Sequence, residues 1–122
     1  MEKKLNVNKG IPTIANATQF DMLFPILESV FNEIKELSKK KQDGVLNEIK
    51  VKMTNRILQK VKIILKDDPT LEFLELLDET SLPTNSDAVL IIAQFKAAME
   101  QYKQKYFVYN RSVGAKAWKT SG

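Results

Sequence analysis

Phe20, Leu23, Leu27, Val30, Ile34 and Leu37 recur at steps of three and four along "TQFDMLFPILESVFNEIKELSKKK". At about 100° per residue they share one stripe of a helix, a period that the two-residue alternation of a half-buried strand does not produce. Phe24 and Phe31 widen that stripe, so the segment is expected to be a core helix beginning near residue 18. Thr18 and Asp21 resemble a capping box with Asp in place of the usual Glu. Pro25 lacks an amide hydrogen. Either the helix bends there, or Pro25 stands in the first turn and residues 18–24 form a lead-in. Residues 1–17 carry Gly10 and Pro12 without a sustained period and are expected to be a flexible N-terminal arm.

Asp43-Gly44 is a turn signal. The next helix is expected over residues 45–66, ending before Pro69, which disfavours helical geometry in the residue preceding it. Asp68, Pro69 and Glu72 then read as the cap and first turn of a short third helix, with Leu71, Leu74 and Leu77 facing inward. A fourth helix follows, capped by Ser86 or Asn85 and running to Asn110, with Ile92, Phe95, Met99, Tyr102 and Tyr106 as its stripe. Residues 111–122 show no period and small side chains, and are expected to be a basic C-terminal tail. The expectation is an all-α fold: an antiparallel bundle of about four helices over residues 18–110, flanked by the arm and the tail. Heptad-like spacing in the first and fourth helices leaves a dimer seam as the alternative to an internal core.

The segment "IKVKMTNRILQKVKIILK", residues 49–66, holds six cations, no anion and eight large aliphatic side chains. A helical projection groups Leu46, Met53, Ile57, Val61 and Ile64 as the apolar side, with Leu58 and Leu65 at its margin. Lys52, Arg56, Lys60, Lys62 and Lys66 fall on the opposite half, with Asn55 and Gln59 among them, and Lys50 snorkels near the apolar side. Steps of about 5.4 Å between Lys52, Arg56 and Lys60 suit a phosphate backbone. The competing reading is a solvated face neutralised by the next segment, which carries Asp67, Asp68, Glu72, Glu75, Asp78 and Glu79. Towards the C-terminus, Tyr102, Tyr106, Phe107 and Tyr109 interleave with Lys103, Lys105 and Arg111, and Trp118 lies between Lys116 and Lys119. Rings among cations can stack bases. They can equally anchor a protein partner, or fold back onto the domain.

Chemistry is bounded mainly by what is missing. The chain has no histidine and no cysteine, which removes the commonest general base, the commonest zinc ligand, thiolate nucleophiles and disulfides. Its four glycines, at 10, 44, 114 and 122, spell neither a Walker A loop nor a dinucleotide fingerprint. No catalytic residue, cofactor, metal or small-molecule substrate is expected. No apolar run reaches the roughly 20 residues of a membrane span, and no secretory signal is apparent, so a cytoplasmic location without membrane contact is expected. The net charge is +4. The expected function is that of a non-catalytic accessory or adaptor subunit acting by partner docking or self-association, with Phe107, Tyr109 and Trp118 as docking residues. The alternative is a nucleic-acid-binding accessory protein using Lys52, Arg56, Lys60, Lys62 and Lys66.

Overall fold

The computed structural model describes residues 10–121, so residues 1–9 of the expected arm lie outside the described residues. The described residues are mostly helical, with three α-helices, one 3-10 turn and a two-stranded hairpin: α1 (Ile14–Lys40), α2 (Glu48–Ile64), the 3-10 turn (Pro69–Phe73), α3 (Asn85–Tyr106), β1 (Phe107–Asn110) and β2 (Ala115–Trp118). The expected four-helix bundle is therefore replaced by three helices and a hairpin.

Helix α1 begins four residues earlier than expected, because Thr13 is the N-cap: its hydroxyl accepts the Asn16 amide at 3.0 Å. Thr18 instead donates its hydroxyl back to the Ile14 carbonyl. Pro25 lies inside the helix on its exposed side. A mid-helix proline costs about 3 kcal/mol, and the burial of Phe20, Leu23, Leu27 and Ile34 on either side of it offsets that cost. Helices α1 and α3 make the principal packing contact, with α2 laid mainly against α1.

The loop after α1 is stitched to the start of α3. The Asn85 and Leu46 amides donate to the Gly44 and Pro83 carbonyls, and the Asn85 side chain donates to the Lys41 carbonyl. Thr84, one residue before Asn85 and two before Ser86, the expected caps, accepts the Asp87 amide and starts α3.

Asp68 does cap the segment after α2, but the helix stops after one 3-10 turn, Leu74 turns extended, and residues 74–78 form no regular element. Asn55 of α2 holds the chain beyond the stop. Its carboxamide accepts the Leu77 amide at 2.9 Å and donates to the Leu77 carbonyl at 2.8 Å, satisfying both backbone groups as a neighbouring strand would. Leu74 and Leu77 are buried from this irregular stretch, and Leu71 is half-buried.

The C-terminal segment is not a free tail. Phe107 pairs with Trp118, Val108 with Ala117, Tyr109 with Lys116 and Asn110 with Ala115. Asn110 opens the turn by accepting the Ser112 amide, and Gly114 closes it at φ 76°, a conformation that L side chains rarely adopt. Lys119 and Ser121 then bond the carbonyls of Tyr106 and Pro12, tying the end of the chain to the start of α1.

Candidate functional site

Two ridges of identical spacing run along α2. Val51, Leu58 and Leu65 repeat every seven residues and are fully buried. Ile49, Arg56 and Ile63 repeat with the same spacing two residues out of step, about 200° around the helix, and face away from the core. Ile49 is 70% exposed and Ile63 64%, with Met53 beside them at 57%. Lys52 and Lys60 stand on the same outer surface. Along about 21 Å of helix, that surface reads apolar at Ile49 and Met53, cationic at Arg56 and Lys60, and apolar again at Ile63.

The apolar side expected from the sequence is thus rotated by roughly a quarter-turn from the side that is buried. Met53 moves outward, and Ile57 and Lys50 are half-buried at the boundary. Asn55, expected among the solvated cations, is 2% exposed and holds Leu77. The missed signal was the Val51-Leu58-Leu65 ridge, with Thr54 and Asn55 as buried polar neighbours.

The five expected polyanion-binding cations do not form one surface. Lys52, Arg56 and Lys60 share the outer face, whereas Lys62 is half-buried on the side nearer Asn55, and Lys66 follows the end of α2. The acidic stretch does not cover them. Glu79 accepts from the Asn55 amide at 3.0 Å, Asp68 pairs with Lys105, and Asp67 lines a cleft with Ile63 and Lys66. Among the described residues, Lys52 pairs with Glu48 at 3.2 Å, while Arg56, Lys60, Lys62 and Lys66 enter no salt bridge. Lys50 reaches Glu33 of α1 at 3.2 Å across a shallow groove of about 90 Å³, lined by Val30, Ile34, Met53 and Ile57 among others. The outer face therefore continues, through Met53, onto the α1–α2 seam.

The expected docking residues have a different fate. Trp118 packs on Phe20 with ring centroids 5.0 Å apart and on Phe107 at 5.5 Å. Its indole N–H donates to both Asp21 carboxylate oxygens, at 3.1 and 3.2 Å. Phe107 and Trp118 thus belong to the chain's own aromatic cluster with Phe24, Tyr102 and Tyr106. Tyr109 alone of the three remains well exposed, on the hairpin beyond that cluster.

Of the perturbed titrations, Asp68 and Tyr102 line a cleft with Ile63 at the end of α2, and Asp78 lies in the loop beyond the 3-10 turn. Burial pushes the Asp68 carboxyl up, but hydrogen bonds from Lys105, at 2.8 Å, and from Thr70 outweigh it and hold the group below the usual carboxylate range. Asp78 is lowered by the backbone amides of Ser81 and Thr80. Burial, then the neighbouring Tyr106, Asp68 and Asp67, push the Tyr102 phenol up to about 12. Each shift accompanies a structural contact: a 3-10 cap, a loop turn and the aromatic cluster. Among the described residues no three carboxylates converge as a metal site, and no helix is long and apolar enough to cross a membrane.

No protein-family model, curated protein or solved structure matches this chain.

Proposed function

We propose that this protein acts without catalysis, as an accessory or adaptor subunit that docks onto another protein through the outer face of α2. One observation carries the reading: Ile49, Met53 and Ile63 stand exposed on the same surface as Lys52, Arg56 and Lys60, although α2 already buries a complete apolar ridge on its other side. Exposed aliphatics grouped on one helix face and rimmed by charge are what a protein interface removes from water. The absence of histidine and cysteine from the chain supports a role in binding rather than chemistry.

Nucleic-acid binding through the cations of α2 is the second reading, favoured by the absence, among the described residues, of salt bridges at Arg56 and Lys60. It leaves Ile49, Met53 and Ile63 without a role, because a phosphate backbone offers them nothing to pack against.

A photo-crosslinking amino acid at the exposed Gln59, in cells that naturally make the protein, tests the proposal. The expected result is a discrete protein adduct that disappears in an Ile49→Ser/Ile63→Ser variant. Absence of any adduct, or an adduct removed by nuclease, would overturn it.

A further inference from the structure

We infer that the partner seated on α2 is an acidic amphipathic helix of a different protein, carrying a carboxylate between two apolar anchors. This rests on the docking reading above and specifies its partner. A second copy of this chain is the first occupant to consider, and the geometry argues against it. Arg56 is the midpoint of the Ile49–Ile63 ridge, seven residues from each end. An antiparallel two-fold pairing that matches Ile49 with Ile63 must therefore set Arg56 against Arg56 of the copy, with each Lys60 close by. A parallel in-register pairing makes the same juxtaposition. Like charges facing each other in a forming interface oppose association, and no carboxylate among the described residues forms a salt bridge with Arg56 or Lys60 to relieve it.

The complementary surface follows from the same spacing. Two apolar side chains two heptads apart would cover Ile49 with Met53 at one end and Ile63 at the other. A Glu or Asp midway between them would meet Arg56 as a bidentate carboxylate, with a further acid reaching Lys60. A partner helix of about three heptads spans the ridge. The groove beside Met53, lined by Val30 and Ile57, gives the partner's flanking apolar residue a place to enter. A nucleic acid satisfies the cations alone. An acidic helix satisfies the cations and the aliphatics together.

The test uses the full chain and four labelled probes: a synthetic helix of about three heptads with Leu at the two anchor positions and Glu between and beside them, the same helix with Lys for Glu, a DNA duplex and a single-stranded RNA of matching length. Fluorescence anisotropy is expected to show the Glu helix bound at least about tenfold more tightly than the other three at about 150 mM salt. Arg56→Glu/Lys60→Glu is expected to reverse the preference between the two helices, and Ile49→Ser/Ile63→Ser to weaken the Glu helix by about tenfold. Circular dichroism of each variant controls for folding, which these exposed positions should leave intact. Equal binding of the Glu and Lys helices, tighter binding of either nucleic acid, or self-association that Ile63→Ser abolishes would overturn the inference. If the Gln59 crosslink still forms and still depends on Ile49 and Ile63, the docking face stands and the acidic-helix assignment falls; if the crosslink is absent as well, both fall.

Discussion

Helix α2 and the C-terminal hairpin look alike as sequence, and their side chains have opposite fates. Both alternate large apolar residues with lysine and arginine. In the hairpin, Trp118 and Phe107 are taken up by the chain's own aromatic cluster, and even the indole N–H finds Asp21. In α2, one apolar ridge is consumed by the core, and a ridge of equal spacing, Ile49-Arg56-Ile63, remains in water. The difference lies in what the rest of the chain offers. Phe20 and Tyr102 form an aromatic wall beside the end of α3, within reach of a short hairpin. A straight helix can face the core with only one side, so its surplus aliphatics have nowhere to go. An amphipathic, basic stretch therefore marks a docking surface only where its apolar residues exceed what the fold can absorb.

Breaking the inner side of α2 should have the largest effect. Asn55→Ala leaves the buried Leu77 N–H and C=O without partners, at about 1–3 kcal/mol each. Urea unfolding followed by circular dichroism is expected to show a loss of about 2–4 kcal/mol. A loss below about 0.5 kcal/mol would mean that water replaces the carboxamide and that α2 is not clamped on that side.

Trp118→Ala comes next. Removing a half-buried indole should cost on the order of 2 kcal/mol. The local signature is faster amide exchange in residues 107–118, with helical content unchanged. If exchange there is already fast in the natural sequence, the hairpin is no more committed to the fold than the outer ridge of α2, and the contrast between them disappears.

The aromatic wall should also be visible in the pH dependence of stability. The Tyr102 phenol is raised from 10.0 to about 12, so the folded state keeps its proton where the unfolded state has lost it. Its contribution is complete below pH 10 and is lost as pH rises towards 12. Tyr102→Phe is expected to change stability near neutrality by less than about 1 kcal/mol. It should make the decline above pH 10 shallower than in the natural sequence, as read by circular dichroism during alkaline titration. An identical decline would place Tyr102 in contact with solvent.

Ile49→Ser/Ile63→Ser should have the smallest effect on stability, within about 0.5 kcal/mol in either direction. A loss of several kcal/mol in the isolated chain would show that the outer ridge is already covered.

Much of the helical layout was legible along the chain. Phe20 to Leu37 and Ile92 to Tyr106 each form one strong stripe with no competitor, and the segments between them carry Gly44, Pro69 and Pro83. The hairpin was not legible, because its strands are four residues each and pair only across the Asn110–Gly114 turn. Nor was the short third element: Asp68 and Pro69 announce a helix, and beyond its single turn the backbone of Leu77 pairs with the distant Asn55 carboxamide on α2. By itself, the sequence determined that residues 49–66 form an amphipathic, strongly basic segment with more aliphatic side chains than one narrow stripe holds. Only the tertiary structure decided which ridge is core, because seven-residue spacing is the same on both sides of a helix. With Val51, Leu58 and Leu65 turned into the core, Asn55 beside them also satisfies both backbone groups of Leu77, an arrangement that leaves Ile49, Arg56 and Ile63 to face outward.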